Sequence, residues 1–405
     1  MATGPAGLPC VRGQVGRVLE DFLGGQRPVL AAISPELLPW LDAIEELLAG
    51  GKRLRPAFCY WGWRAAGGAD CPEIITAASA LELLHASALV HDDVMDASET
   101  RRGRPAVHRR FAARHAVGGW RGSAEAFGIG AAILIGDLLQ AWTDELLHGS
   151  GLPAAALLHG RPVLDTMRTE VIAGQYLDLL SQAAGDGTVA GALRVVRYKS
   201  AKYTIERPLH LGVALASAAT ATAVLGSATP GAPGTPCAPG SAVPASTAPG
   251  APGSAASAGS QTAPLGGNEQ AIAGACTDYG IPLGVAFQLR DDVLGLFGDP
   301  AETGKPVTDD LREGKRTVLV AMARRRANAA QAEILDRHVG NPHVGEAGAA
   351  AVRAVITDTG ALAECEAMID RDVGDALSAI DRAPIAAAAK DALADLAHAA
   401  TARRE

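Results

Sequence analysis

Two pairs of adjacent aspartates stand at the ends of apolar, helix-like segments. The first pair, Asp92 and Asp93, is followed one turn later by Asp96, and the second pair is Asp291 and Asp292. On a helix, the carboxylates of Asp92 and Asp96 lie on one face about 6 Å apart, where their like charges repel. A divalent cation removes that repulsion, and Mg2+ prefers carboxylate, water and phosphate oxygens. One such cluster is often only a solvated helix end, but its recurrence predicts two clusters that grip one magnesium-diphosphate group.

Short basic clusters accompany the aspartates. They are GGKRLRP with Lys52 and Arg55, TRRGRP with Arg101 and Arg102, YKSAKYT with Lys199 and Ser200, and GKPVTDDLREGKR with Lys305 and Lys315. Each cluster alone is typical of a solvated surface. Because the chain as a whole is acidic, with a net charge of −8, four such clusters together indicate that it recognises an anion such as a diphosphate.

The elements that must position these residues are predicted to be helices. Segments such as PELLPWLDAIEELLAG and RPVLDTMRTEVIAGQYLDLL are rich in Ala, Leu and Glu and carry apolar residues at a spacing of three to four. Alternating β-branched runs are almost absent. Residues 73–91 are apolar nearly all round, which is typical of a central helix in a large bundle. The predicted fold class is therefore all-α.

The chain is predicted to form one domain with a long insertion. Hydrophobic residues make up 48% of the sequence, enough for a large core. The segment 229–264 is built mainly from Pro, Gly, Ala, Ser and Thr and cannot bury enough apolar surface to offset its ordering entropy. We predict a domain over 25–400, a disordered insertion at 220–266, a poorly ordered N-terminus at 1–24 and a tail at 401–405.

Composition also excludes several classes of protein. An acidic chain lacks the excess of Lys and Arg that nucleic-acid binding requires, so no nucleic-acid partner is expected. Six scattered cysteines indicate neither a disulfide framework nor a zinc site, and we expect reduced thiols in the cytoplasm: Cys10, Cys59, Cys71, Cys237, Cys276 and Cys365. The N-terminus lacks the apolar core of a secretory signal. The nearest candidate for a membrane span, 209–228, is dominated by Ala, Ser and Thr, so a buried helix and no stable membrane insertion are predicted.

The ordered set of motifs resembles the trans-isoprenyl diphosphate synthases of the polyprenyl synthetase family, most of all bacterial geranylgeranyl diphosphate synthases. The motifs are GGKRLRP, DDVMD with RRG, GDLL at 136–139, GQYLD at 174–178 and FQLRDD. The likeness covers about residues 25 to 400 outside the insertion. It implies an isoprenoid synthase-type helical bundle around a central hydrophobic tunnel, a homodimer, Mg2+ as cofactor, and the condensation of isopentenyl diphosphate with an allylic prenyl diphosphate.

The resemblance also implies a role for individual residues. Metal ligands would be Asp92, Asp93, Asp96, Asp291 and Asp292; isopentenyl diphosphate would contact Lys52, Arg55, His85 and Arg102; the allylic diphosphate would contact Arg101, Lys199, Ser200, Gln288, Lys305 and Lys315; and the catalytic set would be Asp92, Asp96, Asp291, Lys199 and Lys305. The second aspartate-rich motif departs from the family pattern, because Gly295 stands where a third acidic residue or Asn is usual.

Product length is expected to depend on the helix just before Asp92. Ser87 and Ala88 lie one turn away and are small enough to let a hydrocarbon tail pass, whereas Leu83 and Leu84, one turn deeper, are bulky enough to form a floor. One helical turn of about 5.4 Å roughly matches one isoprene unit. These residues predict geranylgeranyl diphosphate, with farnesyl diphosphate or a longer prenyl chain as alternatives.

Three other functions are compatible with parts of the pattern. A class I terpene cyclase would share the first aspartate motif but lack the isopentenyl site. The adjacent His91 and Asp92 could belong to a metal-dependent phosphohydrolase, although such sites need further histidines on neighbouring helices. A non-catalytic partner subunit would have no reason to keep both acidic clusters and their lysines.

Overall fold

Helices make up nearly all of the regular structure, as the Ala-, Leu- and Glu-rich segments predict. A computed structural model describes residues 8–185, 187–227, 267–298 and 308–401. The helices are α1 (Leu8–Ile33), α2 (Leu38–Leu48), α3 (Leu54–Ala65), α4 (Pro72–Met95), α5 (Val107–Val117), α6 (Ala124–His148), α7 (Ala154–Ala184), α8 (Val189–Val195), a π-helix (Val196–Glu206), α9 (Arg207–Ser227), α10 (Gly267–Phe297), α11 (Asp309–Arg312), α12 (Val318–Arg326), α13 (Ala329–His338), α14 (Glu346–Asp358), α15 (Ala361–Arg382) and α16 (Ala387–Thr401). A 3-10 turn spans Pro35–Leu37, and a hairpin pairs β1 (Thr100–Arg101) with β2 (Arg104–Pro105). The prediction of an all-α fold is confirmed.

Several helices begin where a side chain caps the backbone. Ser123, Thr188 and Thr317 each accept a hydrogen bond from the backbone N–H three residues later, at the starts of α6, α8 and α12. Asn328 and Gln331 form a reciprocal capping box at the start of α13. Such contacts satisfy donors that a helix N-terminus would otherwise leave unpaired, and each stabilises its helix by about 1 kcal/mol.

Helix α4 lies in the middle of the bundle. It packs against α1, α3 and α6, and its buried residues point to several sides rather than along one stripe. A helix that is apolar all round is stable only when neighbours cover it on most sides. This position sets the site, because the charged C-terminal turn of α4 emerges from the core at Asp92 and Asp96.

Two apolar clusters share helix α10. Tyr279 and Leu283, in its first part, belong to the cluster built on α1, α3, α4, α7 and α9. Leu289 and Val293, further along, belong to the cluster built on α12, α14 and α15. Helix α10 also packs against the π-helix and α15, so the backbone that carries Asp291 and Asp292 is held between them.

The boundaries of the predicted domain need three corrections. Residues 8–24 were expected to be poorly ordered, but they form most of α1, because Val11, Val15 and Leu19 recur every four residues and are buried. Helix α9 continues to Ser227, so residues 220–227 of the predicted insertion are helical, as their high Ala content favours. Thr401, assigned to the tail, is the last residue of α16. Residues 1–7, 228–266 and 402–405 lie outside the described ranges.

Two helices are long and apolar enough to cross a membrane by length and composition alone. They are α4 and α6, and 72% and 44% of their most apolar windows are buried inside the bundle. The sequence singled out 209–228 instead, whose residues 209–216 are nearly all buried as part of α9. The burial of α4 identifies it as a core helix.

Candidate active site

A cavity of about 970 Å3 opens between α4, α7, the π-helix and α10. Its inner wall includes Leu84, Ala88, Val171 and Phe287, which are apolar, whereas carboxylates and cationic groups line the other part. The cavity therefore has one surface suited to a hydrocarbon and another suited to a charged group. This division agrees with the tunnel that the sequence analysis expected.

Asp92 lies on the cavity wall and is held by two polar neighbours. Gln175 Nε2 donates to Asp92 Oδ1 over 2.8 Å, and Lys199 Nζ lies 3.3 Å from the same oxygen. Lys199 Nζ also donates to Asp178 Oδ2 over 2.6 Å. Burial disfavours the charged forms of Asp92 and Lys199, but neighbouring opposite charges outweigh it. Lys199, Lys315 and Arg101 lower the pKa of Asp92. Asp92 and Asp178 raise the pKa of Lys199.

Asp93 differs from its prediction as a metal ligand. Its side chain is only 2% exposed and accepts two hydrogen bonds from Arg101, one of them from Nε over 2.9 Å. Arg101 Nη2 lies 3.8 Å from Asp92 Oδ2 as well. Because successive residues on a helix point about 100° apart, Asp93 turns away from the face that carries Asp92 and fixes the Arg101 guanidinium beside it.

Asp96, one turn beyond Asp92, is enclosed by residues from the other end of the chain. Its side chain is 2% exposed, and Lys315 Nζ lies 3.5 Å from Asp96 Oδ2 and 2.5 Å from Glu313 Oε2. Burial and the charge of Asp92 raise the pKa of Asp96 to about 6. Among the described residues Asp96 Oδ2 is buried and makes no hydrogen bond beyond the 3.5 Å ion pair with Lys315, so this oxygen can accept a further cation.

The second acidic cluster faces the same cavity from α10. Asp291 is exposed and lines the cavity, while Asp292 is largely buried. Ser200 Oγ donates to Gln288 Oε1 over 2.6 Å, and Gln288 Nε2 donates to Asp292 Oδ1 over 2.9 Å. Burial, followed by the neighbouring negative charge of Asp291, raises the pKa of Asp292 well above its usual value. The expected grouping of Ser200 and Gln288 with this cluster is present, through hydrogen bonds to each other.

A basic and aromatic pocket adjoins the first cluster. The Arg55 guanidinium lies 4.4 Å from the centroid of the Tyr203 ring and donates to Thr204 Oγ1 over 2.9 Å. Burial, then the positive charges of Arg55 and Arg102, lowers the pKa of His85 well below its usual value, so the imidazole is neutral near pH 7. His85 Nδ1 and Arg55 Nε are buried without a hydrogen-bond partner among the described residues. Nitrogens that make no hydrogen bond, next to cationic groups, are suited to binding an anionic ligand.

The hairpin after α4 presents Arg101 and Arg102. Arg101 pairs with Arg104 across it, and the two loop residues, Arg102 and Gly103, have φ values of 55° and 72°. Positive φ at both central positions is the type I′ turn that tight hairpins favour, although it is strained for a residue other than Gly or Asn. The turn directs Arg102 back to α2, where Nη1 donates to the Leu47 carbonyl over 2.6 Å.

One predicted diphosphate ligand, Lys52, lies beside another cavity. Lys52 borders a second cavity of about 840 Å3 beside α1, and its Nζ donates to the carbonyl of Ala399 in α16 over 3.0 Å. Among the described residues, the wall of the larger cavity does not include Lys52. Helix α16 packs against α3, and the Lys52 ammonium binds to α16 instead. Lys305 lies outside the described residues. Lys315 lies in the larger cavity, as expected.

Only part of the expected product-length set faces the cavity. Ala88 and Leu84 line it, four residues apart and in phase with Asp92. Ser87 and Leu83 are both fully buried, and among the described residues neither belongs to the cavity wall. Ser87 and Leu83 point away from this wall because one residue of offset rotates a side chain by about 100° around the helix, and their contact with the growing chain stays a prediction.

Close packing of α7 against the π-helix positions Lys199. A Cβ on Gly174 would lie 2.5 Å from the backbone nitrogen of Lys199 and 2.9 Å from its Cα, so only glycine fits there. The contact brings Gln175 and Asp178, in the GQYLD motif, next to Asp92 and Lys199. The sequence located this motif near the metal cluster, but it did not identify these two side chains. A Gln and an Asp on one helical face, three residues apart, were the available signal.

Side chains that suit Mg2+ are present. Asp92, Asp96 and Asp291 offer carboxylates, and the buried Asp96 Oδ2, which lies 3.5 Å from Lys315 Nζ, makes no hydrogen bond among the described residues. Across the described ranges no three acidic, His or Cys side chains converge as a closed metal cage. An open carboxylate set fits Mg2+, which keeps water and phosphate oxygens among its ligands.

Comparison with known proteins agrees with this geometry. The family model described as polyprenyl synthetase matches residues 39–228 and 251–356. Geranylfarnesyl diphosphate synthase of Aeropyrum pernix is 30% identical over 357 residues, with 87% of this chain and 90% of that protein covered. Geranylgeranyl diphosphate synthase of Mycobacterium tuberculosis is 30% identical over 333 residues, covering 82% and 75%.

A solved structure extends the likeness to the whole described fold. The crystal structure of geranylgeranyl pyrophosphate synthase from Corynebacterium glutamicum, complexed with isoprenyl diphosphate and magnesium, superposes with a TM-score of 0.81 at 35% identity and covers 97% of this chain and 99% of that one. Two carboxylate clusters face an apolar cavity in the chain described above, and the family match spans more than half of its length. The chain therefore belongs to the polyprenyl synthetase family and is a trans-prenyltransferase that elongates prenyl chains.

Proposed function

We propose that this prenyltransferase condenses isopentenyl diphosphate with an allylic diphosphate and releases geranylgeranyl diphosphate. The observation that supports this product is the cavity wall below Asp92, which Ala88 and Leu84 line one turn apart. The small Ala88 would leave room for the chain, and the bulkier Leu84 would limit its length. Relatives named as geranylgeranyl and geranylfarnesyl diphosphate synthases support a chain of about this length. A farnesyl product would instead require a bulky side chain near Ala88.

The acidic end of the cavity is proposed to hold the allylic diphosphate through Mg2+. Asp92, Asp96 and Asp291 would be the ligands of the cation, which neutralises charge on the departing diphosphate when bound. Lys199 is fixed between Asp92 and Asp178 and keeps its proton because these carboxylates raise its pKa. Its ammonium can then stabilise the charge that grows as the allylic carbon–oxygen bond breaks.

Isopentenyl diphosphate is proposed to bind in the basic and aromatic pocket. Arg55 and Arg102 supply positive charge, and the neutral imidazole of His85 can donate one hydrogen bond to a phosphate oxygen. A bound diphosphate would satisfy the open nitrogens of Arg55 and His85. This pocket also argues against a terpene cyclase, which has no second diphosphate to hold.

The apolar wall is proposed to protect the carbocation that forms. Val171, Ala88 and Phe287 line the space next to the acidic end and contain no nucleophile. Because these walls exclude water, the carbocation reacts with the double bond of isopentenyl diphosphate and is not quenched to an alcohol. The proton that leaves after condensation passes to the released diphosphate by analogy with the family, so no protein base is required.

Incubation of the purified protein with isopentenyl diphosphate, farnesyl diphosphate and Mg2+ tests the proposal. Chromatography should show geranylgeranyl diphosphate from wild type and from Glu333→Gln, a surface control whose carboxylate pairs only locally with Arg337. Asp92→Asn should lower turnover by about 100-fold or more while the helical circular dichroism stays unchanged. Equal turnover of Asp92→Asn and Glu333→Gln would contradict the proposed site, and a product of another length would contradict the proposed product alone.

A homodimer is the proposed assembly. Phe127, Ile133 and Leu134 are 40%, 44% and 53% exposed on α6, and Ile172 and Tyr176 are 61% and 65% exposed on α7. An apolar surface of this kind is typical of an interface, and Ile172 and Tyr176 also line the cavity, so a second copy would help to enclose it. Light scattering should give a dimer for wild type and a monomer for Leu134→Glu; an unchanged mass of that variant would place the interface elsewhere.

We also propose that the protein works in the cytoplasm without membrane insertion. The core position of α4 supports this, and the described cysteines are all free thiols, three of them buried. Fractionation of cells that express the protein should recover it with the soluble fraction, and recovery with extracted membranes would contradict the proposal.

A further inference from the structure

Gly295 leaves a space in α10 that another side chain fills. In the family pattern the second aspartate-rich motif places an acidic residue or Asn at this position. Here a Cβ on residue 295 would lie 2.2 Å from Asp310 Oδ2, far inside contact distance. The side chain of Asp310, from α11, therefore occupies the space beside α10 that any residue larger than glycine would need.

Asp310 lies on the wall of the same cavity as Asp291 and Asp292. The backbone carbonyl of Asp310 accepts a hydrogen bond from Lys315 N over 3.1 Å, and Asp310 Oδ1 lies 3.4 Å from Lys315 Nζ. Asp310 is thus a member of the second acidic cluster that comes from a different element.

Lys315 connects this carboxylate with the first cluster. Its Nζ lies 3.4 Å from Asp310 Oδ1, 3.5 Å from Asp96 Oδ2 and 2.5 Å from Glu313 Oε2. Asp96 Oδ2 and Glu313 Oε2 are both buried, and the Lys315 ammonium contacts each of them. One ammonium therefore faces three carboxylates, an excess of negative charge that a divalent cation would balance.

We propose that Asp310 is the third carboxylate of the second acidic cluster and, with Asp291, receives the divalent cation that accompanies the diphosphate. Gly295 leaves Asp310 room to enter, because a Cβ at residue 295 would force the Asp310 carboxylate to turn away. The inference rests on the proposed function, since it assigns a further residue to the same site. It also explains how a motif that lacks its last acid keeps three carboxylates.

Binding of Mn2+ in the presence of inorganic diphosphate, followed by the electron paramagnetic resonance of the free ion, tests this assignment without turnover. Asp310→Asn keeps the size of the side chain and should weaken Mn2+ binding by about 10- to 100-fold. Gly295→Asp should also weaken it, because the new side chain collides with Asp310. The double variant Gly295→Asp with Asp310→Ala restores one carboxylate in one space and should bind Mn2+ more tightly than either Gly295→Asp or Asp310→Ala alone.

Asp309→Asn is the matched control, because it removes the same charge one residue away, where the side chain pairs with Arg312 of its own helix. It should bind Mn2+ like wild type. Equal Mn2+ affinity of Asp310→Asn and Asp309→Asn would overturn the assignment, as would a double variant no better than Asp310→Ala. Failure of wild type to bind Mn2+ with diphosphate would instead refute the proposed function. If Asp310→Ala alone unfolds, the comparison of Asp310→Asn with Asp309→Asn still decides the question.

Discussion

Substitution of Gly174 by alanine tests the packing that holds Lys199 in place. The new Cβ would lie 2.5 Å from the backbone nitrogen of Lys199 and 2.9 Å from its Cα. Because both atoms belong to the backbone, the collision is relieved only if α7 and the π-helix move apart. Overpacking of this kind costs about 1–3 kcal/mol, against which alanine gains about 1 kcal/mol in helix propensity.

The expected net effect is a loss of up to about 2 kcal/mol in the free energy of unfolding. Gly274→Ala is the control, since Gly274 is an exposed position of α10 with no atom within 4 Å of the added Cβ. It should gain up to about 1 kcal/mol from propensity alone. The two variants should therefore differ by about 1–3 kcal/mol in urea unfolding, the cost of overpacking alone. Both are measured at one fixed protein concentration, because the stability of a proposed dimer depends on concentration.

Turnover provides the second readout of the same substitution. Separation of the π-helix from α7 should lengthen the 2.6 Å contact between Lys199 and Asp178 and shift Lys199 relative to Asp92. A displacement approaching 1 Å lowers turnover by about 100-fold, whereas Gly274→Ala should keep wild-type turnover. The reasoning would be refuted if Gly174→Ala unfolded at the same urea concentration as Gly274→Ala and retained full turnover.

Three further outcomes are expected. Ala88→Phe should shorten the product by one isoprene unit in chromatography, because Ala88 lines the cavity. Ser87→Phe should mainly lower stability, because Ser87 is fully buried and does not belong to the cavity wall. The reverse pattern would exchange the roles assigned to the two residues. Glu82→Ala should cost about 3–5 kcal/mol in urea unfolding, since it leaves the buried guanidinium of Arg53 without the carboxylate 2.5 Å away, and a loss below about 1 kcal/mol would contradict this. Burial raises the pKa of Asp372 to about 6, so the folded state prefers its neutral form and stability is lost as pH rises from the unfolded value near 3.8 through 6. Asp372→Asn should consequently raise the melting temperature more at pH 7.5 than at pH 4.5, and an equal rise at both would argue against the shift.

Local sequence determined the helices and the chemistry of the site. Apolar spacing of three to four residues marks α4 and α7, and the positions of Asp92, Asp96 and Asp291 near helix ends follow from the same pattern. The recurrence of acidic pairs and basic clusters in an acidic chain then indicates cation and diphosphate binding. These features depend on neighbours along the chain, which the sequence displays directly.

Tertiary packing decided which of those side chains face one another. Gln175 donates to Asp92 across 83 positions of sequence, and no local pattern encodes that approach. Asp93 looks equivalent to Asp92 in the sequence, yet it is buried against Arg101 because one residue of offset turns it to another face.

The same limit applies to Gly295 and Asp310. In the sequence, Gly295 stands where an acidic residue is usual, and Asp310 is one of two adjacent aspartates in a charged segment. Only the packing of α11 beside α10 shows that the carboxylate of one fills the space left by the other. The sequence determined which groups the chain carries, whereas long-range packing, which fixes distances to within an ångström, decided which of them form the site.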